Sequence, residues 1–142
     1  MLRREYVDSG RVILAFKHLP LDIHPHASRA ATAANCAGEQ GKFWAAHDAI
    51  FADTTRLTDE DLRVRVGQIG LDLSRYDACR SGRIASSRVD ADKSEASALG
   101  ITATPTFLIG RVEGDGVRVV QIVTGVRRLQ TFKKLLDDLL DR

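Results

Sequence analysis

The stretch Gly-Ile-Thr-Ala-Thr-Pro-Thr-Phe, residues 100–107, marks the point at which the character of the chain changes. The sequence before Gly100 has a mostly helical pattern. Thr106–Ile109, which follows, is a β-branched and aromatic run typical of a strand. The dipeptide Thr104-Pro105 precedes this run, at a place where sheets accept proline. From the residues alone, the ordinary expectation is a trans peptide bond that leads into an edge strand.

The residues that follow predict a hairpin and a closing helix. Residues 113–116, Glu-Gly-Asp-Gly, are turn formers, and Val117–Val123 predicts a second strand antiparallel to the first. Apolar residues then recur at helical spacing with charged residues between them, which indicates an amphipathic C-terminal helix. Its apolar positions are Leu129, Phe132, Leu135, Leu136, Leu139 and Leu140.

The residues upstream predict one strand followed by four or five helices. Residues 1–9 have the pattern of the end of a helix, with Gly10 as its stop. Arg11–Leu19 is a short apolar run that predicts a buried strand. An alanine-rich helix is expected over His26–Gln40, and Thr58 with the acidic residues after it predicts a capped helix start.

Composition excludes several classes of protein. The chain has 142 residues, a length typical of one domain, with 44% apolar and 28% charged residues. No apolar run is long enough for a membrane-spanning helix. The net charge of +2 is too balanced to indicate a surface that binds nucleic acid.

Three motifs, in this order, resemble those of DsbA-like thiol–disulfide oxidoreductases. They are residues 10–27 (GRVILAFKHLPLDIHPHA), residues 36–44 (CAGEQGKFW) with His47, Asp48 and Phe51 after them, and residues 100–107 (GITATPTF). The resemblance covers nearly the whole chain. It implies an α/β thioredoxin-like fold, as a single domain over 1–142 with a helical insertion at about 25–99.

The sequence departs from this family in one respect, because it contains no C-x-x-C motif. In the family this motif follows the first strand and begins the first helix. We therefore expect an N-terminally truncated fold that lacks the first strand and the start of the active-site helix. Such a chain carries no catalytic residue of its own. Whether it is an enzyme is left open. Disulfide exchange needs an activated thiolate and a neighbouring resolving thiol. Loss of a central strand would also leave exposed strand edges, through which two copies could pair.

The resemblance assigns Thr104 and Pro105 to a substrate-binding loop. In thioredoxin-like folds the matching proline is cis and packs beside the C-x-x-C motif, and the residue before it offers backbone hydrogen bonds to a substrate peptide. Because the dithiol is absent from this sequence, only the binding role carries over.

Three interpretations of Cys36 and Cys79 arise, and the separation of the two cysteines by 43 positions argues against one of them, a catalytic pair. The second is two buried free thiols, since free cysteine packs like a small apolar residue. The third is a structural disulfide that joins two helices of the insertion, as in some DsbA relatives. The histidines His24, His26 and His47 lack the spacing of a metal site, so no metal and no cofactor is expected.

Two functions follow from these observations. The first is a DsbA-like oxidoreductase domain acting on cysteines of exported proteins, with cysteine-containing polypeptides and a redox protein as partners. The second is a redox-inactive binding protein that uses the Pro105 loop or its strand edges. The family implies an extracytoplasmic location, in the periplasm or cell envelope, although the first residues lack the apolar run of a signal peptide.

Overall fold

The computed structural model describes residues 2–141 and contains helices and one antiparallel sheet. This mixed α/β composition agrees with the predicted fold class. None of the helices among these residues combines the length and the apolar character needed to cross a bilayer. The elements, in chain order, are a short π-helix (Arg3–Val7), α1 (Ala27–Gly38), α2 (Phe43–Ala52), α3 (Asp59–Gln68), α4 (Leu73–Ser81), α5 (Ile84–Ala98), β1 (Thr106–Glu113), β2 (Gly116–Thr124) and α6 (Leu129–Leu140).

The chain divides into two compact units. The helical unit is Lys17–Gly100, and the sheet unit combines the chain up to Phe16 with the chain from Ile101 onward. The predicted helical insertion at 25–99 falls within the first of these units. The description of the chain as a single domain stays a prediction.

Helix α1 is the centre of the helical unit and packs against α2, α3, α4 and α5. Small residues make this close packing feasible, since Ala33, Cys36 and Ala37 are completely buried on α1. Larger apolar side chains from the surrounding helices fill the rest of the core, with Leu62 and Tyr76 among the most buried. The alanine-rich sequence of α1 therefore serves helix–helix approach as well as helix propensity.

Helix α3 begins as its sequence predicts. The Thr58 hydroxyl accepts a hydrogen bond from the Asp61 amide at 3.2 Å, and the Thr58 amide donates to the Asp61 carboxylate at 3.1 Å. This reciprocal arrangement is a capping box, which satisfies two backbone donors that a helix start leaves unpaired. The hydroxyl of Thr58 also donates to the Asp61 carboxylate and lowers the pKa of that group.

The prediction of a buried strand at Arg11–Leu19 is wrong. These residues form no strand, and Ile13, Leu14 and Phe16 are exposed. An apolar run becomes a buried strand only when a neighbouring strand accepts its hydrogen bonds. The sheet among residues 2–141 consists of β1 and β2 alone and does not include this segment. Only the end of the run is buried, at His18, with Pro20 buried just after it.

The hairpin is longer than predicted and contains one irregularity. Strands β1 and β2 pair from Thr106 opposite Thr124 to Glu113 opposite Gly116. Ile109 lies opposite Gln121 and Gly110 opposite Val119, so Val120 is an extra residue on β2, a β-bulge. Gly110 approaches β2 very closely, because a Cβ there would lie 2.2 Å from the carbonyl oxygen of Arg118.

One face of the hairpin is covered by α6. Phe107 on β1 contacts Phe132 of α6 with ring centroids 4.7 Å apart. Ile109 and Val123 lie on the same face of the sheet and are buried. The amphipathic character predicted for α6 thus matches its place against the sheet.

Candidate functional site

The Thr104–Pro105 loop lies immediately before β1 and is exposed at both residues. The peptide bond between them is cis. Two hydrogen bonds hold the loop against the open end of the hairpin. The Gly125 amide donates to the Pro105 carbonyl at 2.7 Å, and the Thr106 hydroxyl donates to the Ala103 carbonyl at 2.7 Å. The sheet therefore positions a short exposed segment of backbone.

The backbone of Thr104 is available to a ligand. Within the described part of the chain, neither its amide nor its carbonyl takes part in a backbone hydrogen bond. A backbone donor and acceptor on one residue can pair with an extended peptide, as in the addition of a strand to a sheet edge. The loop thus exposes a backbone donor and a backbone acceptor of the kind that such pairing uses.

Cys36 and Cys79 form a disulfide bond in the structure, with an S–S distance of 2.05 Å and Cα atoms 5.7 Å apart. The bond joins α1 to α4. Cys36 is completely buried and Cys79 is partly buried. This geometry supports the interpretation as a structural disulfide over that of two free thiols. With both cysteines of the sequence bonded, the chain presents no thiol to act as a nucleophile.

A buried polar cluster around His18 was not assigned a role from the sequence. The His18 amide donates to the Asp92 carboxylate at 2.8 Å, and its ring Nε2 lies 3.0 Å from Oδ1 of Asn35. Asn35 donates onward to the carbonyl of Ala85 at 3.1 Å. Asp92 also forms an ion pair with Lys17 at 3.1 Å. The sequence offered one signal for this cluster, which is a histidine between an apolar run and a proline. That pattern does not predict which residues His18 contacts.

Burial lowers the pKa of His18, and the neighbouring His47 acts in the same direction. The hydrogen bond that the His18 ring donates to the Asn35 side-chain oxygen and the charge of Asp92 oppose this shift without overcoming it. His18 is 7% exposed, so its neutral form is the one that the surrounding helices accommodate. The cluster joins the start of the helical unit to α1 and α5.

The other histidines do not gather into a site. His24 and His26 are exposed in the segment before α1. His47 lies on α2, with its Nδ1 2.9 Å from the Asp48 carboxylate and its ring 4.6 Å from that of Phe51. Among residues 2–141, no group of three or more histidine, cysteine, aspartate or glutamate side chains is placed to hold a metal ion.

Comparison with known proteins adds one family and several relatives. The family pattern described as thioredoxin matches residues 1–138. The Na(+)/H(+) antiporter NhaA 3 of Salinispora tropica is 37% identical over 109 residues, which are 76% of this chain and 17% of that protein. The Na(+)/H(+) antiporter NhaA of Herminiimonas arsenicoxydans is 37% identical over 117 residues, 82% of this chain and 18% of that protein.

The chain therefore spans less than a fifth of the length of these curated relatives. No solved structure gave a significant match. The family match and the α/β architecture together support a thioredoxin-like fold.

Proposed function

This chain belongs to the thioredoxin family, and from that membership we propose that its Thr104–Pro105 loop binds an extended segment of a substrate polypeptide. The loop would be the recognition part of a thiol–disulfide oxidoreductase of the DsbA type. The substrates would be cysteine-containing exported proteins, and a redox protein would be the second partner.

The unpaired backbone of Thr104 is the observation that carries this proposal. Its amide and carbonyl would form two main-chain hydrogen bonds with the peptide, while the Thr104 side chain and the Pro105 ring contact its side chains. Main-chain pairing of this kind gives affinity for many sequences, which suits a protein that acts on varied substrates. The bonds from Gly125 and Thr106 keep the loop in place before the peptide arrives, which lowers the entropy lost on binding.

The chemical step requires a dithiol that this sequence does not contain. In exchange, a thiolate attacks one sulfur of a disulfide, the S–S bond breaks, and the other sulfur leaves as a thiolate. A second thiol then resolves the mixed disulfide. Cys36 cannot attack, since it is buried and already bonded to Cys79. This chain's contribution is therefore to bind and align the polypeptide.

A redox-inactive binding protein is the second candidate function. The bonded state of both cysteines favours it, because this chain then has no thiol to exchange. Both candidates use the Thr104–Pro105 loop and differ only in whether a dithiol acts beside it. An extracytoplasmic location fits either candidate, since oxidising compartments preserve disulfides such as Cys36–Cys79.

Peptide binding can be tested by nuclear magnetic resonance of the isotope-labelled chain. The probe is a short unstructured peptide with one S-methylated cysteine, compared with the same peptide N-methylated on the backbone beside that cysteine. We expect shift changes to centre on residues 101–106. Loss of a backbone hydrogen bond should weaken binding by about tenfold, which corresponds to about 1.4 kcal/mol.

A substitution pair provides the matched control. Thr104→Pro removes the amide donor and should also weaken binding of the unmodified peptide. Thr54→Pro makes the same replacement at an exposed loop threonine that follows the extended residue Asp53, and binding should be unchanged. Equal affinity for the two peptides, or shift changes away from 101–106, would overturn the proposed loop site.

A further inference from the structure

The second face of the β1–β2 hairpin is exposed, and it is apolar from the Leu108–Ile122 pair to the turn. Strand alternation and the pairing register place five aliphatic side chains on this face, which we call the open face. Its members are Leu108, Val112, Val117, Val119 and Ile122, which are 39%, 62%, 55%, 40% and 52% exposed. A two-stranded hairpin is marginal in water unless its apolar faces are covered, and α6 covers only the opposite face.

The bulge at Val120 determines which residues of β2 lie on the open face. Without the extra residue, regular alternation along β2 would place Val117 and Val119 on the face that α6 covers. Ile122 would then lie on the other face of the sheet from both valines. With it, both valines share a face with Leu108 and Val112 of β1. The bulge thus places Val117 and Val119 on the open face, while Phe107, Ile109 and Val123 remain on the face that α6 covers.

The edges of the hairpin are less suited to pairing than this face. Strand β1 is preceded by Pro105 and carries Arg111 and Glu113 in its second half. Strand β2 contains the bulge, which disrupts the regular spacing of its backbone groups. Charges, a nearby proline and bulges are features that discourage edge-to-edge pairing of strands.

We propose that the open face packs against the same face of a second copy of this chain. No charged side chain belongs to it, so a two-fold axis through the face brings no like charges together. It equally offers no charge to attract a charged partner. Two sheets pack well face to face, and here the two α6 helices would lie outside the pair of hairpins.

The small size of the open face indicates a weak dimer. Five partly exposed aliphatic side chains form a patch of a few hundred Å² per copy, on the order of the smallest specific interfaces. We therefore expect a concentration-dependent dimer with a Kd in the micromolar range, roughly 1–50 μM.

Sedimentation velocity over a dilution series tests the proposal. The chain should shift from its monomer mass of 15.6 kDa to twice that mass as its concentration rises to about 200 μM. Ile122→Lys and Val112→Lys each place a charge on the open face at a residue that is already more than half exposed. Each should raise the Kd at least about tenfold. Circular dichroism should show that both variants remain folded.

Val126→Lys is the control, because Val126 is 82% exposed and lies beyond the end of β2. Its dimerisation should equal that of the unmodified chain. A monomer throughout the dilution series would overturn the proposal. A dimer that both open-face variants leave unchanged would overturn it as well. Peptide binding at Thr104 is measured separately, so either proposal can fail alone.

Discussion

At the scale of single residues, His18 shows how an environment changes the chemistry of a side chain. Burial lowers its pKa below the value of about 6.5 that it has in an unfolded chain. As pH falls through that value, the unfolded chain takes up a proton that the folded chain resists. Proton binding then favours unfolding, so this group's contribution to stability is present above pH 6.5 and is lost below it.

We expect the free energy of unfolding to fall as the pH drops below about 6.5, with a contribution from His18 of at most about 1.4 kcal/mol per pH unit. Urea denaturation at several pH values gives this slope. His18→Gln should flatten it, since glutamine does not titrate. His24→Gln, at an exposed histidine, should leave the slope as it was. Identical slopes in all three proteins would show that His18 does not govern acid stability.

Thr104 illustrates what sequence can and cannot give at this scale. The T-P dipeptide before a strand, together with the family resemblance, pointed to an exposed loop, and the structure has a cis bond there. The unpaired state of the Thr104 backbone within residues 2–141 depends on how the loop is placed beside the rest of the sheet unit, which no local sequence pattern encodes. The partners of His18 come from α1 and α5, far away in sequence, and were missed for the same reason.

At the scale of elements, the capping box of α3 makes a measurable contribution. Thr58→Ala removes the side-chain acceptor for the Asp61 amide and should lower the free energy of unfolding by about 1 kcal/mol. Urea denaturation provides the measurement. Thr54→Ala removes an exposed threonine hydroxyl that makes no hydrogen bond within residues 2–141, and should change stability by less than about 0.5 kcal/mol. Equal effects of the two substitutions would argue against the cap.

Elements that depend on residues close together in sequence were predicted correctly, and elements that depend on distant residues were not. The turn at Glu113–Gly116, the Thr58 cap and the amphipathic α6 all depend on neighbours within a few residues, and all were predicted. The apolar run Arg11–Leu19 is as apolar as a buried strand, but a strand also needs a partner, and the prediction failed there. The bulge at Val120 was not predicted for a related reason, because a bulge is defined by the pairing of two strands and not by the sequence of one.

At the scale of the whole molecule, the Cys36–Cys79 disulfide is the covalent tie of the helical unit. Its cysteines are 43 positions apart, and closing a loop of that length in the unfolded chain is worth roughly 4 kcal/mol in the loop-entropy model. We expect reductant to lower the free energy of unfolding by about this amount in urea denaturation. The double variant Cys36→Ala/Cys79→Ala should be less stable and insensitive to reductant. A reductant effect that persists in that variant would contradict the assignment.

This disulfide also changes the connectivity of the molecule. Residues 36–79 form a covalent ring that contains α2, α3 and most of α4. A protease that cuts once in an exposed turn of the ring, such as the segment around Thr54 between α2 and α3, opens the ring without separating the molecule into two pieces. The two ends created by such a cut stay tethered through sulfur. A single backbone break between the two cysteines therefore releases no part of the helical unit.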